Sequence, residues 1–401
     1  MVAVSVTGTA DVQPASVLHE QNGAVSPDLE LLCRMQGMTL DPVNKLQAPD
    51  FNFLQELAKL PIDLTAIPGG TDVQAMRSWI DNVFLKGPLA EHRARCDIQR
   101  RRPEAKVDIS EVSVLCSDGS EDTFVIRVYD PELEEKTSKQ LRPAILMLHG
   151  GGWIHGKPCG DETISTLFAS ELGAVVLGVD YRLAPEHPFP APLDDCSEAI
   201  AWAIRNAGKY QIDTSRIALW GASAGGNLAA AVSIRHTQQR PVTGFPNLRM
   251  VSLVVPVTAH PKAQDAFNKQ RPCQTSSIEE TVADVPLAPE LVVKEFEKLY
   301  DLYVGKSTDI YDPLVSPLMA QAIAQHPKTH VTVAACDYLM PQGLAYAQLL
   351  RSFGTEVTEE ILPGVPHGFT FPMNATVTKR WLENQRDIFM SAFGCADPDS
   401  R

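Results

Sequence analysis

The stretch Trp220-Gly221-Ala222-Ser223-Ala224-Gly225-Gly226-Asn227 constrains this chain more than any other. Arg216 to Leu219, ahead of it, is short and β-like, while Leu228 to Ile234, behind it, is rich in small residues and suits a helix. A serine at so tight a strand-to-helix corner occupies a sparsely populated backbone conformation, so the positions two before and two after it cannot carry bulk. Gly221 and Gly225 meet that demand. Gly-x-Ser-x-Gly is the nucleophile elbow, which lifts a hydroxyl clear at the end of a sheet. Standing alone it is also a common small-residue turn, so its meaning depends on what the rest of the chain supplies.

The rest supplies an alternation of strands and helices. Val112 and Val114, then Phe124, Ile126 and Val128, alternate on either side of Asp118-Gly119, which predicts a hairpin. Fully apolar runs follow at Ala144 to Leu148 and Ala174 to Val179, as in parallel strands buried on both faces. The order continues with helix Pro192 to Asn206, strand Arg216 to Leu219, the elbow helix and strand Val251 to Val257. Strand Val331 to Ala335, helix Gln342 to Phe353, strand Val357 to Leu362 and helix Thr376 to Phe393 complete it. This predicts an α/β architecture with a mostly parallel, doubly wound sheet of about eight strands and the hairpin at one edge.

Two regions stand outside that alternation. Residues 1–25 are polar and small and read as a flexible tail, while 26–106 read as a helical part of a cap. In the latter, Ser26-Pro27 starts one helix, a second runs from Phe51 to Leu60, and Val73, Met76, Ile80, Val83 and Phe84 recur at helical spacing beneath Trp79. Residues 258–310 are too long for a connecting loop and hold a helix from Pro289 to Val304 with Val292, Phe296, Leu299 and Tyr303 on one face. They read as an insertion that adds to the cap within a catalytic domain at 107–401. Arg100 to Arg102 read as a solvated linker without a function.

A serine hydroxyl needs a base to take its proton, and that base needs an orienting carboxylate. Asp337 follows the strand Val331 to Ala335, and His367 follows the strand Val357 to Leu362. The order Ser223, Asp337, His367 is the one expected of this elbow. Other histidines fit less well: His92 and His236 fall in helical stretches, His326 and His330 precede a strand, and His187 and His260 sit beside prolines.

A second signal is His149-Gly150-Gly151-Gly152-Trp153, directly after the strand Ala144 to Leu148. Acyl transfer passes through a tetrahedral oxyanion, and glycines let backbone N–H groups approach it. Gly151 and Gly152, with Ala224 after the nucleophile, are the candidate oxyanion hole. Gly151 to Lys157 also reads as Gly-x-x-x-x-Gly-Lys, but Pro158 supplies neither the hydroxyl nor the N–H of a phosphate-binding loop.

These motifs, together with Asp180-Tyr181-Arg182-Leu183-Ala184-Pro185-Glu186, Phe189-Pro190-Ala191, Ser316-Pro317-Leu318 and Pro366-His367-Gly368-Phe369, resemble the hormone-sensitive-lipase-like branch of the α/β-hydrolases from about Val107 to Phe393. The resemblance implies an eight-stranded hydrolase sheet, a cap built from the N-terminus and a mid-chain insertion, and hydrolysis of carboxylic esters without a cofactor. Tyr181, Arg182 and Glu186 then read as buried, hydrogen-bonded scaffold. Two departures concern substrate choice: Ala222 stands where many members carry aspartate or threonine, and Tyr338-Leu339-Met340-Pro341-Gln342 replaces a charged segment.

The expected activity is a serine carboxylesterase acting on an apolar ester or lactone, with Trp153, His155 and Tyr338 as candidate pocket residues. Relatives that perform eliminations or ring closures with the same pocket are the alternative, and a non-catalytic receptor is a third, although the receptor branch lacks the histidine that His367 supplies. The net charge of -14, from 35 basic and 49 acidic side chains, disfavours nucleic-acid and anionic-membrane partners. Eight scattered cysteines give no metal or redox pair and fit a reducing cytoplasm. No segment is apolar enough to span a bilayer, the expected partner is a small molecule, and a homodimer stays open.

Overall fold

The computed structural model describes residues 50–60, 72–85, 106–132, 141–243, 245–270, 290–305 and 308–395. The expected tail, the helix beginning at Ser26-Pro27, the Arg100 to Arg102 run and residues 271–289 of the insertion lie outside the described residues.

Eight strands form one sheet in the order β1-β2-β4-β3-β5-β6-β7-β8, comprising β1 (Val107–Leu115), β2 (Thr123–Pro131), β3 (Arg142–Leu148), β4 (Val175–Asp180), β5 (Ile212–Ala222), β6 (Met250–Val254), β7 (Lys328–Ala334) and β8 (Val357–Leu362). β1 and β2 pair antiparallel across the Asp118-Gly119 turn, β2 pairs antiparallel with β4, and the remaining pairings are parallel. The hairpin thus occupies one edge, as the alternation of Val112, Val114, Phe124 and Ile126 predicts.

Every residue of β3 is buried, because helices cover both faces of the sheet. Its side chains divide by parity. Leu146 and Leu148 join a core with α4 (Ala191–Arg205), α5 (Ala224–Thr243) and α8 (Met340–Ser352), while Ile145 and Met147 join a second core with α1 (Phe51–Ala58), α3 (Glu162–Leu172) and α9 (Thr376–Phe393). Between them in sequence lie α2 (Val73–Ile80), α6 (Pro261–Gln270) and α7 (Glu290–Val304). Asp50 and Asp72 cap α1 and α2, accepting from the N–H groups of Phe53 and Ala75 at 2.8 and 2.9 Å.

Among the boundaries that differ from the sequence reading, β7 begins at Lys328 rather than Val331, so His330 lies inside that strand, opposite Thr358 of β8, rather than ahead of it. β6 ends at Val254 rather than Val257, because Val255 turns to φ 41° and Pro256 has no N–H to continue the ladder. β5 starts at Ile212, extended by a register shift opposite Arg142 to Ala144, and the elbow helix runs well past Ile234 to Thr243. Among the described residues no helix is long and apolar enough to cross a membrane, and no group of three or more His, Cys, Asp or Glu side chains is placed to hold a metal ion.

Candidate active site

Ser223 stands between the end of β5 and the start of α5 with φ 55°. Its N–H donates to the Val254 carbonyl at 2.9 Å, and its own carbonyl accepts from Asn227 N at 3.0 Å. The glycines around it are required by backbone rather than side chains. A Cβ on Gly221 would lie 2.2 Å from the Gly225 carbonyl oxygen, and one on Gly225 would lie 1.9 Å from that of Leu148.

The loops after β7 and β8 bring the other two predicted residues to the serine. His367 Nε2 is 2.8 Å from Ser223 Oγ, and His367 Nδ1 is 2.7 Å from Asp337 Oδ2. The second carboxylate oxygen of Asp337 accepts from Leu339 N at 2.9 Å, so the buried Asp337 is engaged at both oxygens. Ala335 N donates to Leu362 O and Cys336 N to Val365 O, at 2.9 and 3.0 Å, which ties the aspartate-bearing loop to the histidine-bearing one. Neither loop is free to carry its residue away alone.

Next to Ser223 runs the loop after β3. Gly151, Gly152 and Trp153 take φ of 125°, 57° and 61°, and Gly156 takes 109°. Gly151 O accepts from both Ile154 N and His155 N at 3.2 Å, closing the loop on itself. Among the described residues the N–H groups of Gly151, Gly152 and Ala224 donate to no carbonyl. For Ala224 this follows from its place as the first residue of a helix.

A cavity opens on Ser223 and His367, with His149, Gly150 and Gly151 in its wall. Most of the remaining wall is apolar: Met76, Trp79 and Ile80 of α2 on one side, Val254, Val255 and Phe371 on another. Of the three residues expected to line a pocket, His155 does so. Trp153 does not: it is fully buried, with its indole stacked on Tyr303 at 4.4 Å, and therefore supports the loop from behind. Tyr338 is absent from this wall too and packs edge-on against Phe296. Both rings turn to α7 instead.

Burial governs the ionisation of this neighbourhood. It pulls the imidazole of His155 down to about 3 and that of His149 to about 4. His149 Nδ1 lies 2.8 Å from the Gly150 carbonyl, its ring stacks on Tyr181 at 4.2 Å, and among the described residues its buried Nε2 has no partner. A second proton there would meet no acceptor.

The Asp180 to Ala191 block is scaffold, with one correction. Tyr181 is buried and donates to the His149 carbonyl at 2.7 Å, and Arg182 grips the buried Asp195. Glu186 is exposed, not buried, and its carboxylate instead holds Arg77 of α2 through both oxygens at 2.8 and 2.7 Å. Arg77 is the residue that sequence reasoning missed. Helical periodicity marks its neighbours Met76 and Ile80 as an apolar face and says nothing of Arg77.

A family model described as alpha/beta hydrolase fold matches residues 145–371. The chain belongs to the α/β-hydrolase family. Its motifs place it in the hormone-sensitive-lipase-like branch. It is 34% identical over 251 residues to an arylesterase of Saccharolobus solfataricus, covering 61% of this chain and 72% of that one. It is 31% identical over 261 residues to an ethyl acetate hydrolase of Pseudomonas putida, covering 65% and 75%. Among solved structures, a vibralactone cyclase superposes with a TM-score of 0.71 at 22% identity, covering 89% of this chain and 98% of that chain, a likeness of fold alone.

Proposed function

We propose that this carboxylic ester hydrolase works through Ser223 as nucleophile, His367 as general base and then acid, and Asp337 as the group that fixes the imidazole. The observation that carries the reading is the continuous contact from Asp337 through His367 to Ser223, at 2.7 and 2.8 Å, opening onto an apolar cavity.

As Ser223 Oγ attacks the ester carbon, His367 Nε2 takes its proton, and the Nδ1–H bond to Asp337 stabilises the imidazolium. The carbonyl oxygen becomes an oxyanion within reach of the uncommitted N–H groups of Gly151, Gly152 and Ala224. Such donors are worth roughly a hundredfold or more each in rate. Collapse of the tetrahedral intermediate expels the alcohol, which leaves with the proton from Nε2. Water then repeats the sequence on the acyl-enzyme, releasing the acid and restoring Ser223. Met76, Trp79, Ile80 and Phe371 favour an apolar group on the substrate, an ester or lactone of a small molecule.

A fluorophosphonate should add once, at Ser223, and aryl esters should be cleaved by the wild type, with Ser223→Ala losing about 10⁴-fold or more of kcat. Intact-mass analysis and release of the phenol read the two results. Labelling without ester turnover would replace hydrolysis with elimination or ring closure on the same serine. No labelling would remove Ser223 as the nucleophile.

A further inference from the structure

A single guanidinium joins the cavity wall to the loop that carries Gly151 and Gly152. Arg77 Nε donates to the Ile154 carbonyl at 2.6 Å, two residues beyond Gly152. Its Nη2 donates to the Ala184 carbonyl at 2.8 Å, and Ala184 N in turn donates to the Trp153 carbonyl at 3.0 Å. The guanidinium therefore reaches the loop twice, once directly and once through Ala184. Glu186 holds the fork from the far side. The adjacent residues of the same helix, Met76, Trp79 and Ile80, wall the cavity.

The loop needs such a hold. Gly151, Gly152, Trp153 and Gly156 all sit at positive φ, and an aromatic residue there persists only where its surroundings over-determine it. The turn closed by Gly151 O ties the start of the loop, while the carbonyl of the buried Ile154 is taken by Arg77. If that carbonyl is released, the peptide beyond Trp153 can rotate and take the Gly151 and Gly152 N–H groups with it.

We propose that Arg77 is a positioning residue for ester hydrolysis. By pinning Ile154 O and Ala184 O it holds the oxyanion donors in register with Ser223, and it locks them to the helix against which the substrate packs. This rests on the function proposed above. Lysine cannot substitute, because three differently directed acceptors require the planar fork.

The test compares wild type, Arg77→Met, Arg77→Lys and Glu186→Gln in steady-state hydrolysis of a p-nitrophenyl ester and in the second-order rate of fluorophosphonate labelling. Because the donors act on the transition state, Arg77→Met and Arg77→Lys should both lose about tenfold in kcat with KM within about twofold, and labelling should slow by a similar factor. Glu186→Gln, at an exposed position, should move both rates about threefold in the same direction. A rise in KM with kcat and labelling unchanged would make α2 a binding wall only, overturning the proposal. So would a lowered melting temperature with both rates unchanged in Glu186→Gln and Arg77→Lys. A wild type that takes no fluorophosphonate overturns the Ser223 reading and this inference with it, whereas a labelled wild type indifferent to Arg77 overturns the inference alone.

Discussion

Ser223 at the elbow and Trp153 in the loop after β3 adopt nearly the same left-handed backbone, φ 55° and 61°, within one site. They are held by different parts of the molecule. The elbow is gripped by the sheet beneath it: Ser223 N bonds Val254 O at the end of β6, and Gly225 lies against the Leu148 and His149 carbonyls at the end of β3. The loop is gripped by side chains instead, Tyr303 of α7 stacked on Trp153 and Arg77 of α2 on Ile154 O. The nucleophile thus inherits its geometry from the most buried part of the fold, while the neighbouring N–H groups depend on contacts from α2, from α7 and from the segment after β4.

The largest effect should come from breaking the sheet's grip. In Gly225→Ala the new methyl would meet two strand-end carbonyls, at 1.9 and 2.5 Å, that cannot move without disturbing β3. A destabilisation of about 3 kcal/mol or more is expected, read by urea unfolding, together with loss of Ser223 labelling. Gly151→Ala tests the loop instead: its Cβ would lie 2.1 Å from the His155 carbonyl oxygen, so the loop must open. Activity should fall roughly a hundredfold, while the urea midpoint moves less than in Gly225→Ala. Equal losses of stability in the two variants would erase the distinction between the two grips.

Acid should act on the loop side. Unfolded, His149 binds a proton near 6.5; folded, only near 4. Between those values the unfolded chain holds more protons, so stability falls as pH drops through that window. Over pH 7.5 to 5 this costs about 2 kcal/mol. His155, pulled down to about 3, and His326, pulled down to about 4, both by burial, add losses of the same sign, and Asp180, pushed up to about 6 by burial, offsets part of them. Urea unfolding of His149→Gln should show a pH 5 deficit smaller than that of the wild type by about 2 kcal/mol. The smallest effect is expected for Gly152→Ala, whose methyl would meet only the mobile end of Leu299 at 3.3 Å. The φ of 57° still costs about 1 kcal/mol, visible in the same assay.

The sheet and the contact among Ser223, Asp337 and His367 were legible because they obey local rules: apolar runs of strand length, and chemistry at strand ends in a fixed order. Val357 to Leu362 matches β8 residue for residue. What periodicity could not supply is where distant segments return. Nothing in the sequence near Arg77 names Ile154 or Ala184, some 77 and 107 residues away, as its acceptors. Nor does a tryptophan following three glycines reveal that its ring faces Tyr303 rather than the cavity. The turn at Val255 was hidden for a different reason, since a β-branched residue at positive φ contradicts its own propensity and is held there by its bond to Thr332 O at 2.7 Å.

Asp50 N, at the head of α1, donates to the carbonyl of Gly364, three residues before His367, and Asn52 caps the N–H of Thr376 at the start of α9. A ribosome makes α1 long before the Gly364 carbonyl or the Thr376 N–H exists, so Phe53 and Leu54, which finish with no exposed surface, are made well ahead of the two segments that tie their helix down. Closure of the histidine-bearing loop against α1 is therefore among the last events of biosynthesis, and a chain stalled short of α9 emerges with α1 not yet tied to that loop.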